Sequence, residues 1–75
     1  MNSLSRFNYF MVTALLSIVG FKFCQEICSG VEIWNNSDTG RNFIIKKISS
    51  CLSEEYLLNV LEQAGLSPDE FLGLA

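Results

Sequence analysis

The chain predicts a small membrane-associated α+β protein: an N-terminal apolar helix serving as anchor or signal sequence, a short β-hairpin and a C-terminal two-helix corner. Three observations carry this expectation. Phe7 to Phe21, FNYFMVTALLSIVGF, holds no charged residue and is bounded by Arg6 and Lys22. From Val31 to Ile48 the apolar pattern changes from helical to alternating. From Ser53 onward, caps and a glycine stop stand at the spacings of two consecutive helices. The expected organisation is an apolar helix over residues 1–29 and a hairpin plus two-helix segment over 30–75.

The uncharged run is the element that sets the class. As a helix rising about 1.5 Å per residue it reaches roughly 22 Å, against a hydrocarbon core of about 30 Å. Arg6 and Lys22 can snorkel to the two interfaces, which makes a short single-pass anchor workable. The same length fits the apolar stretch of a secretory signal. Ser3 or Ser5 is expected to cap the helix. Gly20 is tolerated inside a membrane helix, and Phe21 to Cys28 (FKFCQEIC) continues without Pro or Gly. A signal should loosen into small residues at its cleavage site. The best bond follows Gly20, with Ile18 three positions before the cut, and no Ala-x-Ala exists. Phe23 before Cys24 rules out a lipoprotein box. The balance favours a single-pass membrane location over a secreted one, and bases near the run's ends lean towards the N-terminus inside.

Val31-Glu32-Ile33-Trp34 alternates apolar and polar as a half-buried strand does, with Glu32 on its polar side. Asn35 to Gly40 (NNSDTG) is turn-forming, and Asn42 to Ile48 (NFIIKKI) is β-branched. Together they read as one hairpin, which must pack on something to be stable.

The corner rests on capping chemistry. Ser53 precedes Glu54 and Glu55, acids suited to the positive end of a helix dipole. Leu57, Val60, Leu61 and Ala64 form one apolar stripe. Gly65 supplies a left-handed stop, and Ser67-Pro68-Asp69-Glu70 combines an N-cap, a first-position proline and a capping-box Glu. Tyr56 to Leu74, YLLNVLEQAGLSPDEFLGL, is similar to the closing helices of Xre-type phage-repressor DNA-binding domains. The likeness covers about a quarter of the chain. Upstream there is neither a recognition helix nor a basic face, so no DNA-contacting residue is carried over and the likeness is read as convergent.

Composition excludes more than it selects. The chain has no histidine, so Ser-His-Asp and Cys-His arrangements are absent and the usual neutral-pH base is missing. Three cysteines without histidine do not make a structural zinc site. Residues 53–75 carry five acids and no base, which opposes contact with phosphate backbones. The paired acids Glu54/Glu55 and Asp69/Glu70 sit in first turns of helices, where dipole stabilisation accounts for them. The expectation is therefore no enzyme, cofactor, metal or nucleic acid.

The remaining candidates are modification and contact residues. In an oxidising compartment Cys51 is expected to pair with Cys24 or Cys28, Cys28–Cys51 being the candidate disulfide. Asn35-Asn36-Ser37 makes Asn35 a candidate glycosylation acceptor. Leu57, Leu61 and Phe71 are candidate partner-facing apolar residues. The function expected is binding or modulating a larger membrane-associated partner of unknown identity. The alternatives are a secreted small protein cleaved near Gly20 with one disulfide, and a fragment or reading frame without selected function.

Overall fold

The computed structural model describes residues 4–75, so the expected cap Ser3 lies outside them. One turn of 3-10 helix, Leu4–Arg6, precedes α1 (Tyr9–Ile18). Three strands follow, β1 (Phe21–Cys28), β2 (Val31–Asn36) and β3 (Arg41–Lys46), and then α2 (Glu54–Ala64) and α3 (Pro68–Leu72). The strands form one antiparallel sheet in the order β1-β2-β3.

The apolar run splits into a helix and the first strand. Asn8 caps α1, its Oδ1 accepting the Met11 N–H at 2.9 Å. The helix stops ten residues later because Gly20 takes φ +107°, a backbone that β-carbon-bearing residues avoid. Asn36, from the far end of β2, donates its Nδ2 to the Val19 carbonyl at 2.9 Å and so closes the helix end. From Phe21 the chain pairs with β2, Phe21 opposite Asn36 and Phe23 opposite Trp34. The pairing slips at Cys24 and again at Ile27, bulges that blunt an edge strand. The expected helical continuation through Cys28 is thus a strand. Local propensity allowed a helix there, and non-local pairing with β2 overrides it.

The expected hairpin is the β2–β3 half of this sheet. Glu32 faces Ile45, Trp34 faces Phe43, and a short loop closes with the Gly40 N–H on the Asn36 carbonyl at 2.8 Å. The outer edge of β3 is sealed by α2: Gln63 accepts the Ile44 N–H at 3.1 Å, and the Tyr56 hydroxyl accepts the Lys46 N–H at 2.9 Å.

In the C-terminal corner local chemistry decides the structure. Ser53 accepts the Tyr56 N–H, and Gly65 is left-handed at φ +80° with its N–H on the Leu61 and Glu62 carbonyls. Ser67 and Glu70 form a reciprocal capping box around Pro68.

One core joins all elements. Val12 and Leu16 of α1, Phe21, Phe43 and Ile45 of the sheet, Leu52, Leu57, Val60, Leu61 and Phe71 are almost wholly buried together. Phe7 packs edge-on against Phe71 with centroids 4.9 Å apart, which ties the N-terminal run to α3. The Cα radius of gyration is 11.4 Å, close to the roughly 11 Å of a single globule of this length.

The expected membrane-associated class, with its single-pass location, is corrected by these facts. Among the described residues no helix is long and apolar enough to cross a membrane. α1 spans only about 15 Å, half a hydrocarbon core. Phe7, Tyr9, Val12, Leu16 and Phe21, which suggested an anchor, are buried in the domain's own core. A signal cut after Gly20 would strip all but Phe21 of these from it.

Candidate functional site

α1 carries no charged residue, and only one side of it is used by the core; Ser17, exposed on the other side, donates its hydroxyl to the Ala14 carbonyl at 2.6 Å. The inward row of α1 is Tyr9, Val12, Thr13 and Leu16, all buried. Thr13 is satisfied by donating its hydroxyl to the Tyr9 carbonyl at 2.9 Å. Its outward row is Phe10, Ala14 and Ile18 with Met11 beside them, and Phe10 and Ile18 are 63% and 64% exposed. These positions are four residues apart and lie one above the other on the helix. A shallow apolar groove of about 310 Å³, lined by Phe7, Met11, Ala14, Leu15 and Ala75, runs beside this row.

A buried carboxylate fixes which side of α1 faces out. Glu32 is 8% exposed, on the inner face of β2. Its Oε1 accepts the Tyr9 hydroxyl at 2.5 Å and Trp34 Nε1 at 3.0 Å. Lys47 Nζ stands over the Tyr9 ring, 5.9 Å from its centroid. Burial, with the hydrogen bond to Glu32 and that carboxylate's charge, pushes the Tyr9 hydroxyl up to about 12. A tyrosine held neutral in this way is a hydrogen-bond donor, not a base or nucleophile. The cluster therefore acts as a clamp between helix and sheet.

The second concavity, about 380 Å³, is lined by Lys46, Ile48, Leu52, Ser53 and Tyr56. Its hydroxyls are already engaged, Ser53 in the α2 cap and Tyr56 on the β3 edge. Among the described residues no group of three or more His, Cys, Asp or Glu side chains converges as a metal site.

The sequence-derived candidates fall elsewhere. Leu57, Leu61 and Phe71 are at most 1% exposed and packed in the core. Cys24 and Cys28 lie on β1 and Cys51 forms a backbone bridge with Asn8; all three are exposed free thiols. Asn35 is half-buried on β2 and donates its side-chain amide to Asn42 Oδ1 on β3. None of these residues joins the α1 face. The signal that could have found that face is a run with no charged side at helical spacing, followed by a glycine in reach of a turn. Glu32 was hidden by the alternation itself, which separates two faces of a strand without saying which is inward.

Neither the known protein-family models nor the curated proteins include a match to this chain.

Proposed function

We propose that the chain is a non-enzymatic protein-binding module, acting on its target through the outward face of α1. The observation that carries the reading is the exposure of Phe10, Met11 and Ile18 on an uncharged helix. Large apolar side chains on a helix without charges are ordinarily enclosed. A contiguous exposed apolar surface on a folded domain marks an interaction site. The Tyr9–Glu32 clamp supports the same reading, because it holds the face in one orientation and so lowers the ordering cost of docking. The reading gives the chain no cofactor, metal or nucleic-acid partner.

The test is site-specific photo-crosslinking in living cells. A crosslinking residue at position 18 should yield discrete protein adducts, while one at Ser37, on the exposed β2–β3 loop, should yield none. Equal adduct patterns at both positions, or none at either, would overturn the reading.

A further inference from the structure

We infer that the concavity between the end of β3 and the start of α2 binds a small amphiphilic monoanion, an apolar body carrying one carboxylate. It is separate from the α1 face and does not depend on the role proposed for that face. Its volume of about 380 Å³ lies within the range of small-molecule sites and equals roughly a dozen water volumes. Of its apolar lining, Leu52 is 1% exposed and belongs to the fixed core, whereas Ile48 is 40% exposed. An apolar body laid there removes Ile48 from water against a wall that is already in place.

The polar groups of the lining set the charge of the occupant. The Tyr56 hydroxyl accepts the Lys46 N–H at 2.9 Å, and Ser53 Oγ accepts the Tyr56 N–H at 3.2 Å. A hydroxyl that accepts still carries its own proton, so both remain donors. Lys46, exposed at the end of β3, adds an ammonium with three donors and no acceptor. Its flexible stem lets that charge swing over the opening. Backbone acceptors of the same residues are occupied: the Lys46 carbonyl takes the Ile48 N–H at 3.1 Å, and the Ser53 carbonyl takes the Leu57 N–H at 3.0 Å. The lining thus offers donors where its acceptors are already engaged, which is the complement of a carboxylate. One ammonium balances one negative charge, which favours a carboxylate over a doubly charged phosphate. Glu54 and Glu55, next along the chain and outside the lining, disfavour a second negative charge further.

Titration of the isotope-labelled chain with octanoate, octanol and octylamine, read by amide chemical shifts, tests this. Octanoate at millimolar concentration should move the amides of Ile48, Leu52, Ser53 and Tyr56 along one saturating curve. Octanol should bind about fivefold more weakly or worse, and octylamine more weakly still. Lys46→Met should weaken octanoate about tenfold. Lys47→Met removes the same charge one residue on, from a side chain that sits over the Tyr9 ring and outside the lining. It should leave the affinity within about twofold. Both lysines are exposed, and unchanged amide positions elsewhere in each free variant show that it folds. Equal affinity for octanol would leave only an apolar groove and overturn the inference. Equal weakening by the two lysine variants would reduce the effect to net charge and overturn it too. Shifts confined to Phe7, Met11, Ala14 and Leu15, where the groove beside α1 has no polar side chain in its lining, would do the same, as would no shift at all.

Discussion

The Tyr9 hydroxyl donates to Glu32 Oε1 at 2.5 Å, joining the first turn of α1 to the middle strand across 23 residues of sequence. The pair explains how a carboxylate is kept inside so small a domain: the same oxygen also accepts Trp34 Nε1, so Glu32 holds two donors from two elements. It also settles α1's rotation, with Val12 and Leu16 inward and Phe10 and Ile18 outward.

That bond predicts an alkaline transition. Below about pH 10 Tyr9 is neutral in both the folded and the unfolded chain, and its contribution is whole. As pH rises from the ordinary tyrosine value of 10.0 towards about 12, the unfolded chain ionises first and stability falls. Solvent screens part of that shift, so the loss should be on the order of 1 kcal/mol by pH 12. Tyr9→Phe should remove most of this dependence in denaturant titrations run at pH 9, 10.5 and 12. An unchanged slope would place the alkaline effect elsewhere.

Glu32→Ala leaves the Tyr9 hydroxyl and the Trp34 indole N–H without their acceptor. The expected cost is about 1 to 3 kcal/mol for each donor left buried and unpaired. Glu32→Gln keeps an acceptor and should cost less. Urea midpoints of the two variants give the comparison, and equal losses would show that an acceptor oxygen at this position is not what holds the two donors.

The end of α1 is equally specific. A β-carbon at Gly20 would lie 3.2 Å from the Asn36 amide atoms, in a backbone with φ +107°. Gly20→Ala should therefore cost about 1 to 3 kcal/mol. A melting temperature within a degree of wild type would mean that the α1–β1 turn relaxes freely.

At the other end of the chain, the capping box lowers the Glu70 carboxyl below its usual range, chiefly through the Ser67 backbone N–H and then its side chain. A depressed folded value gives stability that is present above the ordinary carboxylate value and lost as pH falls through the folded one. Ser67→Ala should cost about 1 kcal/mol at neutral pH. Glu70→Gln, which removes the titrating carboxyl that the Ser67 backbone N–H holds, should flatten the acid side of the stability profile; a profile of unchanged shape would separate Glu70 from that cap.

These differences in character follow what the sequence made legible. The corner from Ser53 to Leu72 is written in contacts at most four residues apart: Ser53 to Tyr56, Gly65 to Leu61, Ser67 to Glu70. Such chemistry can be read directly off the chain. Phe21 to Cys28 could not be read, because its strand depends on a partner strand beginning at Val31 and on Asn36 reaching back to Val19. The apolar run looked like a membrane element because hydropathy records how apolar a segment is, not what encloses it. Glu32 looked solvent-facing because its donors, Tyr9 and Trp34, are assembled only by the fold.

The division of α1 into a core side and a docking side is tested most directly by comparing Leu16→Ala with Ile18→Asp in urea denaturation, at low micromolar concentration. Leu16 is 0% exposed and Ile18 64%. Leu16→Ala should lose about 2 to 5 kcal/mol, while Ile18→Asp should stay within about 0.5 kcal/mol of wild type. Comparable losses in the two variants would contradict the account, because Ile18 would then be holding the domain together instead of waiting for a partner.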